Sequence, residues 1–463
     1  MGALKELDSR VPTRFYWQLT LLATLGGFLF GYDTANIGSA LNVLPYQVGD
    51  FARGYLVAGA SLGAAAGALA AGPLTDRLGR KSLLIVDASV YALGSILSAV
   101  TPNVVVLMIA RTLIGLAIGA DSAIATAYIA EYAPRNRRGS LGMLQQWMIT
   151  VGILFSYLIA LGIFRLWPDS AGSSGWRWIF GLGAVPAIVG LVLRFEMPES
   201  PRWLLRKERW EDAQKAFAKL GTEVSVEQLQ RTGQQLAEAD QRDERNRSRH
   251  WTPGVKRALA VVCGFFVFQQ ITGINVPLYY GPTLLGDYFK SGNSKIDATI
   301  AGVEVTAIMT VVNVAATYFA FRWIDKLGRR KLAMGGFTGM AIAAVISALG
   351  IGLMSGTPRI VVAMIGLDLF IAAFAIGVGG TGWLIQGEYF PTAVRGQAAA
   401  IGAAVDWVAN YALIEAFPAT QRAIGLGWVM ICFAALCVVA VIFVLRYVPE
   451  TKGLTVEEIT ALF

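Results

Sequence analysis

The chain has 463 residues, 55% of them hydrophobic and only 15% charged. Soluble domains carry about 25% charged residues, so composition excludes a soluble globular protein. The net charge is +8, but the arginines and lysines fall mostly in short loops between apolar runs, the distribution that orients a membrane chain rather than one that grips nucleic acid.

A bilayer requires roughly 20 apolar residues per spanning helix. Twelve such stretches follow one another, centred near Phe30, Gly63, Ala92, Gly115, Ile153, Val185, Ile271, Val312, Ala343, Ile376, Val408 and Val438. The first continues from Leu19 through Phe30 to Ala40 and predicts a spanning helix rather than a cleavable leader. In the second, Gly59, Gly63 and Gly67 are spaced by four and predict close packing on a neighbouring helix. Residues 199–251, between the sixth and seventh runs, are dense in Glu, Gln, Lys and Arg and predict short amphipathic helices outside the lipid. The chain therefore divides into residues 1–198, a linker 199–251, and residues 252–463. The basic loops put this linker and both termini on the cytoplasmic side, where the sequon Asn246-Arg247-Ser248 would be silent. Cys263, Cys432 and Cys437 lie in apolar segments and His250 is the sole histidine, so zinc and disulfide readings are poor. Gly377-Val378-Gly379-Gly380-Thr381-Gly382 matches a nucleotide-loop pattern but lies in an apolar span with no βαβ unit around it.

The two parts repeat. Asp76-Arg77-Leu78-Gly79-Arg80-Lys81 returns as Asp325-Lys326-Leu327-Gly328-Arg329-Arg330-Lys331. Glu131-Tyr132-Ala133-Pro134, followed by Arg138-Gly139, returns as Glu388-Tyr389-Phe390-Pro391, followed by Arg395-Gly396. Pro198-Glu199-Ser200-Pro201-Arg202 has a counterpart in Pro449-Glu450-Thr451-Lys452-Gly453. With Gln269-Gln270-Ile271-Thr272-Gly273-Ile274-Asn275, these motifs resemble, in order and over nearly the whole chain, the sugar porter family of the major facilitator superfamily. The resemblance implies an all-α membrane protein with twelve transmembrane helices in two pseudo-symmetric six-helix halves and a cytoplasmic helical linker. It also implies alternating access around a midplane site, which is the general architecture of that superfamily.

Asp33 stands at the end of an apolar stretch, and a mid-membrane carboxylate costs roughly 2.5–3.5 kcal/mol on insertion scales. Arg111, amid apolar residues of the fourth span, is its best partner. Apolar surroundings favour a neutral carboxylic acid and a nearby guanidinium favours the carboxylate, so reversible approach of Arg111 would switch Asp33 between holding and releasing a proton. A static ion pair is the alternative. The resemblance favours the switch, because proton-coupled members carry Asp at this position and many facilitative members carry Asn. Some coupled relatives have a further carboxylate in the sixth span, near where this chain has Gly183.

Sugar hydroxyls donate and accept, amides match both, and an aromatic face packs on the ring. Gln146, Gln269, Gln270, Asn275, Asn313 and Trp383 align with sugar-contacting positions of the family. On an unbroken helix Gln269 and Asn275 would lie about 240° apart, so a break near Gly273 and Pro277 is expected. Asp406 departs from the family, which usually has Asn or Gln before the tryptophan here numbered Trp407. A carboxylate there grips two hydroxyls, prefers an amino group, or holds a proton as a stand-in for the amide. In the tenth span, Gly379-Gly380-Thr381-Gly382-Trp383 replaces the prolines of relatives and predicts a softer hinge. Arg111 is the only basic residue expected deep in the cavity, which argues for a neutral substrate.

Tyr279 and Tyr280 are candidate outer-gate residues. Arg80, Glu131, Arg138 and Glu199 of the first half, with Arg329, Glu388 and Arg395 of the second, are expected to latch the cytoplasmic seam. Glu304, Asp368 and Glu415 are expected in the outer half of the membrane, as headgroup-level residues or as an acidic outward cavity. The expected function is import of a neutral monosaccharide with a proton, without cofactor or metal, by a monomer in the cell membrane; the proton gradient is the energy source and nucleic acid is no partner. Alternatives are a facilitative uniporter, a porter for polyols, amino sugars or other solutes, and a transporter-like sensor, which short tails do not favour. No nucleophile–base or metal constellation points to an enzyme.

Overall fold

The computed structural model describes residues 14–132, 138–245, 251–289, 294–390, 392–452, 459 and 462–463, and among these the regular structure is helical with no strand. The first span is α1 (Arg14–Ala23) and α2 (Leu25–Ala40), parted at Thr24, whose ψ of 2° leaves the helical range. The second to fifth are α3 (Asp50–Leu78), α4 (Arg80–Val100), α5 (Val104–Tyr132) and α6 (Arg138–Leu166). The sixth, residues 168–194, reaches α7 (Trp176–Gly181) and α8 (Ala184–Arg194) through two short irregular turns. Eleven described helical stretches are long and apolar enough to cross a membrane, and the broken α1–α2 adds the twelfth.

The linker folds as α9 (Pro201–Arg206), α10 (Trp210–Lys219) and α11 (Val226–Arg245). Ser200 caps α9 by accepting the Trp203 N–H, with Pro201 at the first helical position, where its missing donor costs nothing. The apolar faces of these helices do not stand alone. Trp203, Leu204, Ala213, Phe217 and Leu229 share a buried cluster with Tyr16, Leu83, Leu84, Tyr128 and Met197, so the linker docks on the basic-loop end of the first six spans.

The second half runs α12 (Pro253–Ile271), α13 (Asn275–Phe289), α14 (Lys295–Leu327), α15 (Arg329–Leu353), α16 (Gly356–Gly377), α17 (Gly379–Glu388), α18 (Thr392–Ile424) and α19 (Leu426–Tyr447). The seventh span breaks where expected: α12 stops at Ile271, Gly273 takes φ +95°, and α13 starts at Asn275. The tenth breaks at Val378, amid the glycines that replace proline.

Lipid tails supply no hydrophobic drive between helices, so packing depends on close backbone approach. The predicted glycine seam in the second span does this against α5. A Cβ on Gly63 would stand 2.2 Å from the Thr112 carbonyl oxygen, and one on Gly119 would stand 2.0 Å from that of Ala64. Gly67 meets Leu116 in the same way, whereas Gly59 faces its own helix's Tyr55.

Candidate functional site

Asp33 and Arg111 form a buried ion pair between α2 and α5. Arg111 Nη1 donates to Asp33 Oδ1, and Nε donates to the Leu56 carbonyl at 2.9 Å, which fixes the guanidinium plane against α3. Asn36, one turn from Asp33, adds long contacts of 3.5 Å to both partners. The guanidinium is thus held by a backbone acceptor independent of the carboxylate.

The amides assemble around the seventh-span break. Gln270 Nε2 donates to Asp406 Oδ1 at 2.7 Å, and Asn275 Nδ2 donates to Gln270 Oε1 at 2.8 Å and to Asn410 Oδ1 at 3.0 Å. Asn410 Nδ2 in turn donates to Ser61 Oγ at 2.8 Å. A continuous polar chain therefore runs from Asp406 of α18 through α12 and α13 to α3 in the other half. The break makes it possible, by bringing Gln270 and Asn275 to one side. Gln269 turns away and donates to the Gly379 carbonyl at the tenth-span break. Trp383 is half-buried against Phe266, and with Trp407 it shares an apolar cluster with Leu29 and Phe30 of α2. Asn313 is buried on α14 and Gln146 half-buried on α6; neither joins the hydrogen-bonded chain among the described residues.

The seam between halves is shut at the end away from the basic loops. A Cβ on Gly38 would lie 2.4 Å from the Tyr279 carbonyl oxygen, so α2 and α13 touch backbone to backbone. Tyr157 donates to the Leu278 carbonyl, and Thr283 pairs with Asn42 at 3.0 Å. Arg165 pairs with Glu304, and Arg422 with Asp50. Tyr279 and Tyr280 are buried inside this closure, where Tyr280 packs on Phe417 at 5.0 Å and donates to the Ile414 carbonyl. In this closed arrangement the three outer acids line no open cavity among the described residues. Glu304 is neutralised by Arg165, and Glu415 packs against Gly54 across the seam; Asp368 is partly buried on α16.

The sequence family described as "Sugar (and other) transporter" matches residues 19–463. The chain belongs to the sugar porter family. It is 35% identical to the glucose transporter GlcP of Staphylococcus epidermidis, over 95% of each chain. It is 34% identical to the arabinose-proton symporter of Bacillus subtilis, covering 99% of this chain and 98% of that one. The D-xylose-proton symporter of Escherichia coli is 32% identical over 99% and 97% of the two chains. The fold matches the partially occluded inward-open structure of the xylose transporter XylE with a TM-score of 0.80, at 29% identity over 96% of this chain and all of that one. The protein is therefore a multi-pass membrane transporter with the major facilitator fold, and not an enzyme.

At the basic-loop end, the porter carries two copies of one network. Arg80 pairs with Glu131 at 2.8 Å, and Ser200 donates to the same carboxylate. Arg329 pairs with Glu388 at 2.8 Å, and Thr451 donates to it. Glu199 accepts the N–H groups of Arg80 and Lys81 at 3.0 and 3.1 Å, and Glu450 accepts those of Arg329 and Arg330 at 3.0 and 3.2 Å. Each glutamate so caps the positive end of a spanning helix. Gly79 at φ +93° and Gly328 at φ +91° leave room for them, since a Cβ would stand 2.3 and 2.4 Å from the respective carboxylates. Burial pushes the Glu199 carboxyl above the ordinary range, against the pull of the N–H groups of Ser200, Lys81 and Arg80. The Arg80–Glu131 and Arg329–Glu388 pairs each lie within one half; a latch across the seam belongs to a state closed at this end. Arg395 donates to the Phe390 carbonyl of its own half, and Arg138's side chain lies outside the described residues.

Sequence reasoning missed Asn410, Glu450, Ser200 and Thr451 as members of these arrangements. Arg194 is buried as completely as Arg111, but it pairs with Asp121 and Asp87 and with none of the amides.

Proposed function

We propose that this porter imports a neutral monosaccharide together with a proton by alternating access, with both termini in the cytoplasm and a monomer sufficient for transport. The proton gradient supplies the energy and no cofactor takes part. The observation that carries the reading is the fully buried Asp33–Arg111 pair on α2 and α5, in the half whose Ser61 ends the amide chain. A buried acid paired with one guanidinium across two helices is the minimum device for coupling a proton to a change of state. The arabinose and xylose relatives bear names that include proton symport, which supports the coupling. The amide chain, with Trp383 beside it, offers the donors, acceptors and flat face that a neutral sugar requires. The shut outer seam supports an inward-facing state of the cycle.

The test is uptake into proteoliposomes with an imposed inward pH gradient, using labelled glucose, xylose and arabinose. The gradient should drive accumulation of at least one of them, and Asp33→Asn should abolish accumulation while sugar exchange continues. Uptake that equilibrates and never accumulates would identify a uniporter instead.

One observation favours a second reading. Asp406 is buried, accepts from Gln270, and has no paired cation among the described residues. A polyol or amino sugar would supply hydroxyls or a cation to it. Binding of an amino sugar in preference to its neutral parent, lost in Asp406→Asn, would select this reading.

A further inference from the structure

We propose that Asp87, Asp121 and Arg194 form a second protonation site, an intermediate station for the transported proton between Asp33 and the basic-loop end. The inference rests on the symport reading above and extends it to residues outside the Asp33 pair.

Arg194, at the end of α8, pairs with Asp121 of α5 at 2.7 Å and with Asp87 of α4 at 3.8 Å, and donates to the Leu84 carbonyl at 2.7 Å. All three side chains are at most 5% exposed. Two carboxylates thus share one guanidinium in a region closed to solvent. Asp87 Oδ1 and Asp121 Oδ2 are both buried without a hydrogen-bond partner, and the two carboxyl groups face each other. An ionised pair would leave a net negative charge and two bare oxygens. One proton between the carboxyls satisfies both oxygens and makes the triad neutral, with one carboxylate against one guanidinium. Loss of that proton restores the net negative charge, so uptake and release are the only chemistry the site needs.

Position gives the site its role. Arg111, Asp121 and Glu131 follow one another on α5 at intervals of ten residues, about 15 Å each along a helix. The first belongs to the Asp33 pair and the last to the Arg80 network at the basic-loop end. Asp121 stands midway. A Cβ on Gly26 would overlap the Asp121 carboxylate, 1.5 Å from Oδ2, so α2 lies directly on the triad beside its break from α1 at Thr24. The helix that carries Asp33 therefore cannot shift without changing the space around Asp121. The neighbouring elements bring few other ionisable groups. Tyr16 of α1 and Tyr128 of α5 lie in the adjoining cluster, Tyr91 of α4 is committed to the Leu29 carbonyl, and α2 brings Tyr32 and Asp33 further along. Arg194 is the one cation paired with the carboxylates among the described residues.

The test compares wild type and Asp121→Asn in proteoliposomes with labelled glucose, xylose and arabinose. Exchange of sugar across the membrane, which moves no net proton, should stay within about threefold of wild type, while accumulation driven by a pH gradient should fall roughly tenfold or more. Infrared pH-difference spectra should lose a carboxylic-acid C=O band in the variant. Where Asp121→Asn does not fold, Asp87→Asn, which leaves the Arg194–Asp121 pair in place, is read by the same assays. Accumulation by the variant at the wild-type level and with the wild-type pH profile would overturn the proposal. So would exchange and accumulation falling together, which is what a merely structural ion cluster predicts. A wild-type protein that accumulates no sugar would defeat the symport reading itself.

Discussion

Asp33 and Arg111 show how much one buried pair asks of its surroundings. The guanidinium spends Nε on the Leu56 carbonyl and Nη1 on Asp33. Lysine has one compact charge and cannot serve both acceptors in fixed geometry. Arg111→Lys should therefore reduce proton-driven uptake at least about tenfold with normal expression, read by initial rates across external pH. Asn410 bridges Asn275 to Ser61 at the seam. Its truncation to alanine removes about two hydrogen bonds worth 0.5–1.5 kcal/mol each, so sugar affinity of Asn410→Ala should weaken roughly fivefold to 150-fold, measured by tryptophan quenching. Unchanged affinity would remove the amide chain from the binding site. Asp33, Arg111, Gln270, Asn275 and Asp406 were legible in the sequence because charge and amide are rare in apolar spans. Asn410 was not, being one amide in a helix whose facing is set by packing. Gln269 was legible as polar but not as a tie to the Gly379 carbonyl, because that contact depends on two helix breaks meeting.

At the scale of the element, glycine sets how closely helices approach. Gly63 and Gly119 each lie where a Cβ would stand about 2 Å from a backbone oxygen of the facing helix. A flexible neighbour cannot yield there, so α3 and α5 must separate. Gly119→Val should cost about 1–3 kcal/mol and lower the melting temperature in detergent; an unchanged melting point would show that the helices slide past the strain. The four-residue glycine spacing was visible in the sequence. The break at Gly273 was expected from glycine and proline placement, and the tenth-span glycines read as a soft hinge, whereas the break at Thr24 was not expected, because Leu25-Gly26-Gly27 reads as a continuing apolar run. The Arg194 triad was legible only in part. Asp87 and Asp121 stand out as acids in apolar runs, but their shared partner Arg194 lies on a third helix and no sequence spacing joins the three.

Across the whole molecule, the structure places closure and opening at opposite ends. The outer seam is closed by Gly38 against Tyr279 and by the Arg165–Glu304 and Arg422–Asp50 pairs, while at the other end the Arg80–Glu131 and Arg329–Glu388 pairs each join residues of one half. The repeated loop motif showed the two halves and their topology, but it does not say which partners meet in a given state, since that depends on the rotation of the halves. A valine at Gly38 should prevent the backbone contact and shift the population towards an outward-open state, seen as longer spin-label distances across the outer seam. Unaltered distances would show that this contact follows closure rather than setting it. Exposed ion pairs contribute about 0–1 kcal/mol each, so the outer pairs bias this equilibrium without locking it. One charge moved through about 100 mV supplies about 2.3 kcal/mol, enough for roughly fifty-fold accumulation of a neutral sugar at about 1.4 kcal/mol per tenfold. The most direct test of coupling needs no imposed gradient. Glucose, xylose and arabinose are added in turn to de-energised vesicles, and the external pH is followed with a dye. Symport gives a transient alkalinisation with the transported sugar that disappears in Asp33→Asn, whereas sugar entry without any pH change in the wild type would rule symport out.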